Sequence, residues 1–196
     1  MKNCNFIETY ENALKKEECE YIIDFMNTGN RLRPGTIQRG VELDLKNSFD
    51  VTLNFNDDHM DDSELKVNRM IYESYCNCIQ LYNKSHSQLD EIARWNLNAD
   101  YNLQKYHPMQ GYFSLHCENQ NPSKMSSLRV LAWMFYLNTV TDGGGTYFDN
   151  YDLTMNAVQG RCVIWPAYWT HFHRGIVSKT ETKYIVTGWM NYIDSA

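Results

Sequence analysis

The stretch Ser126–Asn138, SSLRVLAWMFYLN, decides the fold class. In an extended chain Val130, Ala132, Met134 and Tyr136 fall on one face and Leu131, Trp133, Phe135 and Leu137 on the other. Both faces are apolar, so both must be covered, which predicts a central strand with protein on either side. GRCVIW (160–165) and TKYIVTGWMNYI (182–193) read the same way, and the turn-forming runs TDGGGT (141–146) and WPAYW (165–169) separate them. No helix-length pattern interrupts the chain after residue 125. Strands in succession without crossover helices favour an antiparallel sandwich or barrel over a doubly wound sheet.

Ahead of residue 100 the character is helical. In ALKKEECEYIIDFMN (13–27), Cys19, Ile22, Ile23 and Met26 make one apolar stripe, and Asn12 is the best capping residue. In SELKVNRMIYESYCNCIQLYNKS (63–85), Ser63 can cap a helix whose stripe is Val67, Ile71, Tyr75, Cys78 and Tyr82. Between them, RPGTIQRGVELDLKNSFDVTLNF (33–55) holds short alternating runs that suit edge strands. The expected fold class is α+β, predominantly β: one domain over 1–196, with residues 1–100 a mainly helical buttress with edge strands and 101–196 a jelly-roll core.

The formal charge of −6 and the absence of a lysine- and arginine-rich run argue against nucleic acid as a partner. No stretch is long and apolar enough for a signal peptide or a membrane span, so no membrane is expected and a cytoplasmic protein is. The six cysteines, Cys4, Cys19, Cys76, Cys78, Cys117 and Cys162, contain no C-x-x-C pair and read as reduced, mostly buried thiols.

Polar residues that break the apolar pattern mark a site. Read as a strand, GYFSLHCEN (111–119) puts Tyr112, Ser114, His116 and Glu118 on one face, so His116 and Glu118 can offer a nitrogen and an oxygen to one cation. A His-x-Glu triplet alone is weak; a facial site of two histidines and a carboxylate needs a third ligand from further along the chain. WTHFHRG (169–175) supplies His171 and His173, which share a face if the segment is extended. Lys183 stands among core-like residues Tyr184, Ile185, Val186 and Trp189. Either its stem packs and its ammonium reaches water, or it pairs with a buried carboxylate. The glycines 143–145 suit a tight turn better than a phosphate loop, since TYFDN rather than a helix follows.

From about Tyr106 to Trp189 the chain resembles the iron(II)- and 2-oxoglutarate-dependent dioxygenases of the prolyl 4-hydroxylase-like group, which have a double-stranded β-helix fold. The resemblance rests on LHCE where that family has His-x-Asp, then RVLAWMFYLNTVTDGGGTYF, GRCVIWP, HRG, and Lys183 and Trp189 at the family's distances from the distal histidine. It implies that His116, Glu118 and His173 ligate Fe(II) and that Lys183 pairs with the far carboxylate of 2-oxoglutarate. It also implies that Tyr106 and Tyr112 lie toward the oxoacid, with His171 a neighbour of the site; Thr146 reads equally as lining the oxoacid pocket or as a hydroxyl that closes the turn. Glu118 departs from the family's aspartate by one methylene. The implied chemistry consumes O2, converts 2-oxoglutarate to succinate and carbon dioxide, and hydroxylates an unactivated C–H bond in a peptide, protein or small molecule. A zinc hydrolase using the same three ligands, which leaves Lys183 without a purpose, and a non-catalytic jelly-roll binding module are the rival readings. The segments Arg31–Asn47 and Asn119–Ser127 are candidates for lids over the site, and Arg174 for an acidic group of a substrate or a nearby carboxylate.

Overall fold

Alternation along the deciding stretch becomes a division between two cores. The computed structural model describes residues 5–37, 40–120 and 124–193. The first part of the chain forms β1 (Glu8–Tyr10), α1 (Lys16–Asn27), β2 (Arg33–Pro34), β3 (Lys46–Asn47), β4 (Phe49–Asn54) and α2 (Asp62–Ser85). There follow β5 (Trp95–Tyr106), β6 (Gly111–Tyr112), α3 (Lys124–Ser127), β7 (Arg129–Tyr136) and β8 (Thr146–Phe148). The chain closes with β9 (Leu153–Met155), β10 (Cys162–Pro166), β11 (His173–Gly175) and β12 (Lys183–Tyr192).

An antiparallel seven-stranded sheet runs in the order β1-β10-β7-β12-β5-β4-β2, beside a three-stranded sheet β11-β8-β9 and the pair β3-β6. β7 lies between β10 and β12. Leu131, Trp133 and Phe135 enter one core with Ile22 and Met26 of α1 and Val67, Ile71 and Tyr75 of α2. Ala132, Met134 and Tyr136 enter the other with Phe148 of the small sheet, Trp165 and Ile185. Helices thus cover one face of the large sheet and the small sheet covers the other. Phe135 has no exposed surface, so Phe135→Ala is expected to lower the unfolding free energy by about 3–5 kcal/mol, read from the urea midpoint. Gly188 lets this packing close, because a Cβ there would stand 2.2 Å from Trp133 Cζ2.

The α2 stripe is buried as the spacing predicts, but both helix starts differ. Asp61, not Ser63, caps α2, accepting the N–H groups of Ser63 and Glu64 at 2.8 and 2.9 Å. A carboxylate both satisfies these donors and opposes the positive end of the helix, which a hydroxyl cannot do. Asn12 is no cap: it holds a left-handed φ of 53° in the turn before α1, and Glu18 accepts the Lys15 N–H instead at 2.8 Å. In α1, Phe25 is buried and Ile23 only partly so. The β half begins at Trp95, five residues before Asp100, because β12 pairs with β5 from Trp95 onward, while β4 joins its other side only over residues 100–105. Cys4 lies outside the described residues; the other five cysteines are free thiols. Among the described residues no helix is long and apolar enough to cross a membrane.

Candidate active site

Two distant stretches meet through a pair of backbone hydrogen bonds. His116 N–H donates to His173 C=O at 3.0 Å and His173 N–H to His116 C=O at 2.8 Å, a single antiparallel bridge. Such a pairing places both side chains on one face. The segment 111–119 is not the continuous strand its alternation predicts. Beyond β6 the donors find scattered partners: Phe113 and Ser114 share Leu45 C=O, and Asn119 reaches Ala167 C=O. Paired beyond β6 by one bridge, to His173, the segment otherwise satisfies its backbone piecemeal. His116 and Glu118 still converge.

WTHFHRG is not extended throughout either. Trp169–His171 form a single 3-10 turn, and only His173–Gly175 are strand. The turn carries the His171 ring away, with Nε2 2.7 Å from Asn5 C=O and Nδ1 2.9 Å from Thr170 Oγ1. What His171 gives the site is its carbonyl, 2.9 Å from His173 Nδ1. Ser114 C=O stands in the same way 2.9 Å from His116 Nδ1. A carbonyl only accepts, so both rings carry a hydrogen on Nδ1 and present Nε2 as the nitrogen that faces the site. Burial foremost, then the neighbouring His173, lowers the His116 pKa to about 4, so that ring is neutral near pH 7.

The two Nε2 atoms face Glu118 Oε1, at 3.7 Å from His116 and 3.3 Å from His173. Burial opposes ionisation of Glu118, but His173, His116 and Arg129 around it hold its carboxyl well below the usual range. Two imidazole nitrogens and a carboxylate oxygen therefore converge within 4.8 Å of one another, and such a set can hold a cation. Donors bound to one ion at about 2.1 Å stand roughly 3.0–3.4 Å apart, close to the 3.3 and 3.7 Å that separate the two histidine nitrogens from Glu118 Oε1.

Glu118 is one methylene longer than an aspartate, and its second oxygen shows what the length is used for. Oε2 accepts the indole N–H of Trp189 at 2.7 Å and lies 3.5 Å from Arg129, whose guanidinium sits 3.7 Å from the centre of the Trp189 ring. One oxygen is tied back while the other faces the histidines. Removing an outer partner of a metal ligand typically costs about 10–100-fold in affinity. Trp189→Phe, which keeps the ring and loses the N–H, is expected to weaken Mn(II) binding by that much in a titration, with an unchanged thermal melt.

These residues open into a cavity of about 220 Å³ that also includes Tyr106, Tyr112, Thr146 and Lys183. Lys183 is 5 % exposed and has no carboxylate or hydrogen-bond acceptor among the described residues; its Nζ lies 4.7 Å from the centre of the Tyr106 ring. Tyr112 stacks on His116 with centroids 3.8 Å apart, and burial, then Glu118, raises its pKa to about 12. Thr146 shares a 2.7 Å hydrogen bond with Tyr136 Oη. Arg174 is exposed, near the Tyr147 ring rather than the cavity. Of the two segments proposed as lids, Thr36 and Ile37 line the cavity, while Gln38, Arg39 and residues 121–123 lie outside the described residues.

Sequence reasoning missed three contributors. Arg129 is the charged residue heading an otherwise apolar strand, which is a usable signal. Gln104 and Lys46 also line the cavity, Lys46 bound to Asp50 at 2.5 Å; a short edge strand gives no periodicity from which Lys46 could be found.

The segment from residue 101 to 191, which carries all of the cavity-lining residues except Lys46, Thr36 and Ile37, matches the 2OG-Fe(II) oxygenase superfamily. It is a 2OG-Fe(II) oxygenase domain. The oxygenase is a dioxygenase whose cofactor is Fe(II) and whose co-substrates are 2-oxoglutarate and O2. No curated protein matches the chain. Among solved structures, a viral collagen prolyl hydroxylase from Paramecium bursaria Chlorella virus-1 is similar at 18% identity and a TM-score of 0.65, over 96% of this chain and 97% of that one. A Pseudomonas putida prolyl-4-hydroxylase is similar at 13% identity and 0.69, over 95% and 93%. A Trichoplax adhaerens prolyl hydroxylase, solved with a hypoxia inducible factor peptide fragment, is similar at 13% identity and 0.75, over 97% and 85%. At these identities the likeness is one of fold.

Proposed function

We propose that this oxygenase hydroxylates an unactivated C–H bond of a prolyl residue in a peptide or protein, on a jelly-roll core with His116, Glu118 and His173 as the iron ligands. The observation that carries the reading is the convergence of Nε2 of His116, Nε2 of His173 and Glu118 Oε1 in the same cavity as a buried Lys183 that has no acidic partner among the described residues. When bound, Fe(II) with 2-oxoglutarate and O2 supplies oxidising chemistry that yields succinate, carbon dioxide and a hydroxylated product.

The chain's own residues do the rest. The carbonyls of Ser114 and His171 fix the tautomers of the two histidines. Trp189 and Arg129 hold the carboxylate, and Lys183 binds the far end of the diacid while Tyr106, Tyr112 and Thr146 wall it in. A cavity of about 220 Å³ is smaller than the ~300–1,000 Å³ that engulfs a drug-sized ligand. With a five-carbon diacid inside, the substrate enters by one small group and stays mostly outside, which suits a side chain of a peptide. The prolyl choice is supported by the prolyl hydroxylases that share the fold.

The test is incubation with Fe(II), 2-oxoglutarate and proline-containing peptides, following succinate and a one-oxygen mass gain on proline. Succinate release coupled to that gain supports the reading. Coupling to another residue or to a metabolite overturns the prolyl part. Metal-dependent hydrolysis with Zn(II) and no succinate overturns the assignment of the site.

A further inference from the structure

Alternate residues of β5 and β12 lay the floor of the cavity: Lys183 pairs opposite Tyr106, Ile185 opposite Gln104 and Thr187 opposite Asn102. Gln104 is the anomaly, an amide 6 % exposed on the cavity-lining face. A buried amide is unfavourable unless its hydrogen-bonding capacity is used, and here half of it is. Tyr106 donates to Gln104 Oε1 at 2.7 Å. Burial foremost, then Asp50, keeps the Tyr106 phenol protonated, which makes the hydroxyl a donor. That bond fixes the amide, with Oε1 toward Tyr106 and Nε2 left to the cavity. Nε2 has no acceptor among the described residues.

Its place along the strand says what it meets. β12 carries Lys183 at one end and, six residues on, Trp189, which holds Glu118. Gln104 stands opposite Ile185, one step from Lys183 toward Trp189. A diacid anchored at Lys183 and reaching toward the three metal-ligand candidates therefore passes the Gln104 amide.

We propose that Gln104 is a second anchor for 2-oxoglutarate, its Nε2 donating to the carboxylate nearer His116, Glu118 and His173 while Lys183 holds the farther one. The Tyr106 hydroxyl is spent on orienting Gln104, so Tyr106 acts on the co-substrate through this amide. This rests on the reading of the cavity as the 2-oxoglutarate site. It adds a directional, uncharged contact to the charged one.

Calorimetric titration of 2-oxoglutarate into the full chain with Mn(II) in place of Fe(II) tests it without turnover. Gln104→Glu keeps an acceptor for Tyr106 but turns a donor into a negative oxygen, and is expected to weaken binding by about 100-fold or more; Gln104→Met is expected to weaken it by about 10-fold. Mn(II) binding stays within about twofold of wild type, and in turnover the KM for 2-oxoglutarate rises while that for the hydroxylated substrate does not. Should Gln104→Glu fail to fold, Gln104→Met carries the test. Wild-type affinity in a folded variant overturns the role of Gln104 and leaves the proposed function standing. No binding to the wild-type protein overturns the proposed function itself.

Discussion

His173→Ala is expected to remove 2-oxoglutarate-dependent succinate release by more than about a hundredfold, while His171→Ala keeps a measurable part. Loss of an outer partner of a metal ligand already costs about 10–100-fold, so loss of a ligand must cost more. His173 brings its Nε2 to 3.3 Å from Glu118 Oε1. The His171 ring instead turns toward Asn5, and its service to the site is a backbone carbonyl that alanine retains. The measurement is succinate formed per iron bound, with metal content determined on the same samples. Equal, complete loss in two folded variants would show that the 3-10 turn at 169–171, and not one imidazole, is what the site needs.

The two histidines also show how far the sequence could be read. Period-two alternation is a statement about an extended chain, and it holds where neighbouring strands force extension. On β7, flanked by β10 and β12, the residues predicted for opposite faces do divide: Trp133 goes to the helices and Met134 to the small sheet. Around His116 the pairing is a single bridge to His173, and His171 lies in a 3-10 turn, so the backbone bends to satisfy its donors one at a time. The placement of His116 with Glu118 therefore came out as expected by a different route from the one the alternation suggested. The His171 ring departs for the same reason.

Register is the other limit. Nothing local tells which residue of β5 faces which residue of β12, so the opposition of Gln104 to Ile185 and of Tyr106 to Lys183 is invisible until the strands are paired. The same holds for the hold of Trp189 and Arg129 on Glu118, which joins residues 71 and 11 positions apart. Sequence spacing pointed to the ligand candidates because a two-residue step is local. The groups that orient them are chosen by tertiary contact, and only the odd charge of Arg129 at the head of an apolar strand hinted at one of them.

Lys183→Ala is expected to raise the 2-oxoglutarate concentration needed for half-maximal activity by roughly 30-fold or more, and to leave iron binding nearly unchanged. An ammonium 5 % exposed with no carboxylate or hydrogen-bond acceptor among the described residues has its charge uncompensated until an anion arrives, and removing one partner of a buried charge pair costs about 2–5 kcal/mol. Burial lowers the Lys183 pKa to about 8, which gives the prediction a second reading. A bound carboxylate favours the charged form and so raises that pKa. Affinity for 2-oxoglutarate is then full below about pH 8 and falls as the pH rises through it, by up to about tenfold per unit. Titrations of the Mn(II) protein between pH 6.5 and 9.5 would show this slope in the wild type and its absence in Lys183→Ala. A flat profile in the wild type, or an unchanged 2-oxoglutarate requirement in the variant, would mean that the ammonium does not hold the diacid.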